Sequence, residues 1–307
     1  MTIKHIKYPY FSLFFLFLAC ISADDNNSRA LSIPEIYTYG QKYTASFYAN
    51  GLDSLIECIV DKKYTIQNLR DFRQNVDSQV GQEINVLNER AGRARSKSNQ
   101  YFYARYSRFV RTEQPVGTEF SFDSNDHIYQ FSVEILPQEA PTHFLSYKTR
   151  TRLRLPFNGL WYVAAGGRAI NTNHHAVATD QRFAYDFLIK KDGFSFQNDG
   201  GSNEDDFCYN QEIIAPGSGT IAAAVNDIPE NRPGEMSQAA GNFVIIDHGN
   251  GEFSILAHLK QGSIAVKPGD KVVIGQFLGR CGNSGHSSQA HLHYHLQNSP
   301  VIFGDVN

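Results

Sequence analysis

The stretch Gly282–Leu296, GNSGHSSQAHLHYHL, decides how this chain is read, because it ends in the alternation His291-Leu292-His293-Tyr294-His295. On a β-strand successive side chains point to opposite faces, so His291, His293 and His295 share one face. One imidazole of such a row can bind a metal while its neighbour handles a proton. An HxH by itself is equally a half-exposed strand face. Here other segments supply partners. Asn173-His174-His175 precedes QRFAYDF, which carries Asp186, and Leu256-Ala257-His258-Leu259 lies inside an apolar strand pattern. Two histidines and a carboxylate, with histidines left over, suit a three-ligand zinc site that keeps one position open. Asp186 sits between Tyr185 and Phe187. A carboxylate in that apolar setting needs a partner, which a metal would supply; otherwise it caps a turn at a strand end.

Four motifs then follow in order: APGSGTIAAAV from Ala215, GNFVIIDHGNGEFSILAHL from Gly241, VKPGDKVVIGQFLGRCGNSG from Val266, and AHLHYHL from Ala290. Together they resemble the M23 zinc metallopeptidases, the lysostaphin- and LytM-like peptidoglycan hydrolases, over about residues 155–298. The resemblance implies an all-β, largely antiparallel C-terminal domain with a cleft across its sheet. It also implies hydrolysis of peptide bonds in peptidoglycan stem peptides or cross-bridges. Carried over residue by residue, it makes His175, Asp186 and His293 the Zn2+ ligands. His258 and His291 become the two non-ligand histidines of the active site, one for the water's proton and one for the oxyanion, in an order left open. In the family the first His and Asp are usually separated by three residues, whereas ten lie between His175 and Asp186. The pattern is similar to a sub-branch in which N-x-H precedes a longer loop and QRFAxD. That register favours His175 as ligand and makes His174 its exposed neighbour. Mixed His/Asp ligation favours zinc over calcium or magnesium.

Some relatives have lost ligands and bind wall to activate other hydrolases. This chain keeps all five positions, although a complete site can still be held inactive by a neighbouring segment. His248 and His286 read as loop residues at the groove rim. VKPGDKVVIGQFLGR also resembles the hairpin of lipoyl- and biotinyl-type carrier domains. Lys267 and Lys271 merely flank Pro-Gly-Asp there, and the histidines would go unexplained, so the carrier reading is rejected.

At 307 residues the chain is long enough for two domains. A net charge of −3 gives no sign of nucleic-acid binding, and 22 Phe and 16 Tyr suit a β-rich protein. The N-terminus reads as an export signal, residues 1–23: Lys4 and Lys7, an apolar Phe11–Cys20, and a small-residue site at Ser22-Ala23. Cleavage leaves a periplasmic or secreted protein. Phe-Leu-Ala-Cys20 also loosely resembles a lipobox, which would tether the chain through a lipidated Cys20. Without Cys20, three cysteines remain (Cys58, Cys208 and Cys281), so at least one stays unpaired within the chain; a Cys208–Cys281 bridge is left open. Cys281 reads as a small buried hydrophobe.

Residues 24–40 read as a flexible arm and 41–137 as an α+β accessory domain. In the latter an amphipathic segment spans about Thr44–Ile59, and a helix starts at Thr65 and stops at Gly81. Strands follow at EINVLNER, YFYARYSRFV, EFSFD and IYQFSVEIL, with SNDH as a hairpin turn. The order is similar to NTF2-like domains. The basic run Arg90, Arg93, Arg95, Lys97 could contact anionic wall polymer, but reads better as a solvated loop. Residues 138–154 form a linker whose alternating TRTRLRLPF leads by a strand into the metallopeptidase domain, 155–307. Residues 226–241 lack periodicity and read as a loop walling the groove.

Overall fold

The computed structural model describes residues 29–95, 99–237 and 240–302, plus a two-residue strand, β1 (Phe15–Leu16). Apart from that strand, the export signal and Cys20 lie outside the described residues. The chain divides into two compact units, one of residues 1–92 and 99–136, the other of 93–98 and 137–307.

The first unit is α+β. Helix α1 (Ile33–Tyr48) begins where Ser32 N–H donates to Glu35 Oε2 at 2.9 Å, with Pro34 in the first turn. Ile33–Gly40 are therefore helical and not arm. The single segment expected over Thr44–Ile59 is broken: α1 ends at Ala49, and Gly51 caps a second helix, α2 (Leu52–Cys58). Helix α3 (Ile66–Val80) starts and stops as expected. Thr65 Oγ1 accepts the Asn68 amide at 3.2 Å, and Gly81 ends the helix at φ 75°. Strands β2 (Glu83–Arg93), β3 (Gln100–Phe109), β4 (Thr112–Asp123) and β5 (Ile128–Ile135) lie side by side in chain order, β3–β4 and β4–β5 pairing antiparallel, with β1 antiparallel on the outer edge of β5. Aromatic rings join helices to sheet: Tyr43, Phe47, Phe120, Phe122 and Phe131 are all essentially buried, and Phe120 stacks on Phe131 at 4.5 Å. Gly40 lets α1 approach closely, since a Cβ there would lie 2.0 Å from Tyr103.

The second unit is all-β. Its main sheet has the order β12-β9-β10-β11-β14-β7-β6, and all neighbouring strands in it pair antiparallel. The strands are β6 (Tyr162–Ala165), β7 (Tyr185–Leu188), β9 (Gly219–Val225), β10 (Asn242–Asp247), β11 (Phe253–Leu259), β12 (Lys271–Val272) and β14 (Leu292–Gln297). A two-stranded sheet of β8 (Glu212–Ile214) and β13 (Phe277–Arg280) completes the unit. One face of the main sheet carries the core, in which Phe187, Leu256, Leu259 and Leu292 pack with Ile213 and Leu278. Cys208 and Cys281 are free thiols inside this core.

Two expectations fail in this unit. TRTRLRLPF forms no ladder strand. It is pinned singly instead, by Arg150 and Thr151 amides donating to Glu252 (2.7 Å each) and Arg154 N–H to Pro216 O (2.8 Å). Arg93 and Arg95 are not a solvated loop. Arg93 donates to Phe196 O at 2.9 Å, and Arg95 is ion-paired to Asp206, so neither guanidinium is open to a wall polymer.

Candidate metal centre

Strand pairing assembles the site. On the sheet face opposite the core, His293 stands across from Asp186 of β7 on one side and Ala257 of β11 on the other. Asp186 is 7% exposed and meets four imidazoles. His175 Nε2 lies 2.9 Å from its Oδ2, His293 Nδ1 3.0 Å from its Oδ1, His291 Nε2 3.6 Å from Oδ1 and His174 Nε2 3.7 Å from Oδ2. Burial would raise its pKa. The neighbouring imidazoles of His291 and His175 outweigh that and hold the carboxyl well below its usual range. Among the described residues no lysine or arginine pairs with it.

His258 reaches the site by a bulge. Alternation along β11 would put His258 on the side of Leu256, in the core. Between the pairs Asn242–Leu259 and Val244–Leu256, however, β11 carries one residue more than β10. His258 takes φ 62°, the left-handed region, at that point. Leu256 and Leu259 thereby both enter the core, while the His258 ring lies 4.7 Å from His291 and 5.7 Å from His293.

Hydrogen bonds fix which nitrogens carry protons. Gln297 Nε2 donates to Ser299 O (2.6 Å) and Val301 O (2.9 Å), which orients its amide and turns Oε1 to His295 Nε2 at 2.9 Å. His295 Nε2 is therefore the protonated nitrogen. Its Nδ1 accepts from His293 Nε2–H at 3.0 Å, leaving a lone pair on His293 Nδ1. Burial, then neighbouring His293, pushes His295 down to about 3, and burial lowers His293 as well, so both rings are neutral. His258 Nδ1–H donates to Ser284 O (2.8 Å) and His291 Nδ1–H to Gln289 O (2.9 Å), so each keeps a bare Nε2. Burial, with His291 and His293 beside it, holds His258 well below the usual histidine range.

This relay tests whether a metal suits the site. His293 Nδ1 and Asp186 Oδ1, a lone pair and an anion, face each other at 3.0 Å. That contact is repulsive unless a cation lies between them. A borderline-soft cation with His and Asp ligands suits the donors present.

The loop carrying His174 and His175 is equally built. Buried Asn173 donates to Gly167 O (2.9 Å), Arg182 O (3.2 Å) and Ala184 O (3.3 Å), and its Oδ1 accepts the His175 amide (3.1 Å). Arg182 ties Ala176 O (3.0 Å) to Glu139 (3.2 Å). His174, His175 and Asp186 offer ligand atoms within 4.8 Å of one another, but the His174 side chain is 66% exposed against 11% for His175. Outside the site, His248 bonds Ser254 and Ser218 O, and His286 is exposed. The 226–241 loop packs on the loop before β14, where Asn231 Nδ2 donates to Gly285 O (2.6 Å) and Ser287 O (2.8 Å).

Residues 206–302 match peptidase family M23. This part of the chain is an M23 peptidase domain. Over 57 residues, 19% of this chain and 13% of the relative, it is 47% identical to the peptidoglycan DD-endopeptidase ShyA of Vibrio cholerae serotype O1. Over 133 residues, 40% of this chain and 26% of the relative, it is 32% identical to endolysin 2638A of Staphylococcus phage 2638A. The chain thus spans only 13% and 26% of the lengths of these two curated relatives. A crystal structure of a zinc containing peptidase from Vibrio cholerae aligns with 64% of this chain and 53% of its own at 15% identity, with a TM-score of 0.31, too low to bear on architecture. The M23 match contains His258, His291 and His293; His175 and Asp186 lie upstream of it, Asp186 joining them through the β7–β14 pairing and His175 through its contact with Asp186.

Of the site, His295 and Gln297 carry the role that sequence reading missed. Their signal was present: residues 291, 293, 295 and 297 are all polar at the strand period, on one face.

Proposed function

We propose that the chain is an exported zinc metalloendopeptidase that hydrolyses peptide bonds in peptidoglycan stem peptides or cross-bridges. The observation that carries this reading is the facing pair His293 Nδ1 and Asp186 Oδ1, flanked by His175 and by two imidazoles with bare Nε2 atoms. His175, Asp186 and His293 would hold the ion. Zinc supplies Lewis acidity, lowering the pKa of water and polarising the scissile carbonyl.

The remaining chemistry belongs to His258 and His291. Each anchors Nδ1–H on a backbone carbonyl and so presents Nε2 as an acceptor without turning. One takes the proton of the attacking water and returns it to the leaving amine. The other takes a proton on Nε2 from solvent before attack and through it donates to the oxyanion, returning that proton to solvent after turnover. Preorganised rings need no reorientation during the reaction. A catalytically silent module that binds wall and activates another hydrolase would have no use for two such bases.

The test is release of soluble fragments from purified peptidoglycan by residues 24–307 with zinc, against His293→Ala and chelator controls. Release by wild type alone supports the assignment, and mass spectrometry identifies the bond. No release from a folded, zinc-loaded protein overturns it in favour of an inactive module.

A further inference from the structure

Residues 93–95 lie far upstream of the M23 match, yet they belong to the same compact unit as the site. Arg95 Nη2 donates to Gln289 Oε1 at 2.8 Å and also to Asp206 Oδ1, while Nη1 donates to Gly200 O at 3.3 Å. Asp206, 3% exposed, turns its other oxygen to the Ala290 amide at 3.0 Å. The guanidinium lies 4.4 Å from the Phe196 ring centre, and that of Arg93 lies 4.5 Å from the same ring. Both ends of the Gln289–Ala290 step are thus held by one ion pair. Gln289 O is the nearer acceptor for His291 Nδ1–H at 2.9 Å, and Ser287 Oγ lies 2.7 Å from that carbonyl and 3.2 Å from the same ring nitrogen.

We propose that Arg95 is a positioning residue for the reaction: with Asp206 it fixes the Gln289–Ala290 peptide and, through the Gln289 carbonyl, the orientation of the His291 ring. The inference rests on the metallopeptidase reading for its kinetic consequence, though not for its mechanics. Arg95 can bond Asp206 and Gln289 together because its guanidinium is a planar fork. Lysine can neutralise Asp206 but is a point charge with no such geometry. Without a cation Asp206 becomes a lone buried carboxylate. Burial already pushes its carboxyl up, and the neutral acid grips the Ala290 amide less tightly.

The experiment uses the full mature chain as wild type, Arg95→Ala, Arg95→Lys and Gln289→Leu. In metal-free protein, hydrogen exchange of the peptide spanning 288–292 should rise in Arg95→Ala by about tenfold, the loss of one charge-assisted bond, and by less in Arg95→Lys. On peptidoglycan, Arg95→Ala should lower kcat by about 10- to 100-fold, the usual effect of removing a supporting partner. KM and zinc content should stay within about twofold, and Arg95→Lys should recover part of kcat. Gln289→Leu, which keeps the Arg95–Asp206 pair, gives a smaller loss and serves if Arg95→Ala does not fold. Unchanged exchange, or a kcat equal to wild type in a folded variant, overturns the proposal. So does a loss of kcat that merely tracks a lower Tm without recovery by lysine. Inactive wild type overturns the metallopeptidase reading, while the exchange measurement still decides what Arg95 holds.

Discussion

His295→Phe tests the relay that aims the His293 lone pair. The substitution keeps an aromatic ring but removes the acceptor of His293 Nε2–H, now 3.0 Å away, and strands Gln297 Oε1, now 2.9 Å from His295. A buried donor left without a partner costs about 1–3 kcal/mol. Freed of its acceptor, His293 no longer prefers the tautomer with Nδ1 bare, so zinc must first select it. Loss of such a supporting partner lowers metal affinity by about 10- to 100-fold. That range is about 1.4–2.7 kcal/mol, the same size as the lost hydrogen bond. The zinc Kd is read by competition with a chromophoric chelator at pH 7.5 or above, with circular dichroism confirming the fold. Gln297→Leu should act in the same direction and less, because His295 remains as acceptor. A folded His295→Phe protein whose zinc Kd lies within about twofold of wild type refutes the relay.

Three further outcomes are expected. His258→Ala should retain zinc with kcat down at least about 100-fold, the usual scale of acid–base catalysis, seen by metal analysis and fragment release together. His175→Ala should lose zinc while His174→Ala keeps it, because only the His175 ring is buried against Asp186; equal losses by inductively coupled plasma analysis would make His174 a ligand too. Burial would raise the Glu252 pKa, but hydrogen bonds from Arg150, Thr151 and Tyr147 outweigh it and hold the carboxyl down to about 2. A folded-state pKa below the unfolded one means the stabilisation is complete above about pH 4.5 and is lost as pH falls towards 2. Glu252→Gln should therefore cost about 1–2 kcal/mol at neutral pH, after screening, and flatten the acid limb of Tm against pH.

Much of the second unit was legible because its information is periodic. The row at 291, 293 and 295 needs only a strand to share a face, and Pro-Gly-Asp at 268–270 needs only a turn. His258 shows the limit of alternation. Leu256 and Leu259 both belong to the core although they are three residues apart, and only an extra residue at the bulge reconciles them. In the first unit, Thr65 and Gly81 mark α3 because capping is local. The break between α1 and α2 was missed because the apolar residues of Thr44–Ile59 continue across Gly51. Alternation in Thr149–Leu155 misled, since a strand also requires a neighbour and Glu252 instead takes the free amides singly. The bond from Arg95 to Asp206 spans 111 positions, and no local pattern announces it.

The left-handed turn at His258 also sets a trap for anyone hardening this protein against heat. A side chain held at φ 62° carries a strain of about 1–2 kcal/mol, which glycine does not feel. A screen scored on thermal survival alone is therefore drawn to glycine or asparagine at position 258, and each gain there removes one of the two imidazoles proposed to handle protons. Selection for turnover must keep the strained conformer. On the proposed mechanism the strand thus records a standing compromise between durability and chemistry, located at one residue where it can be watched.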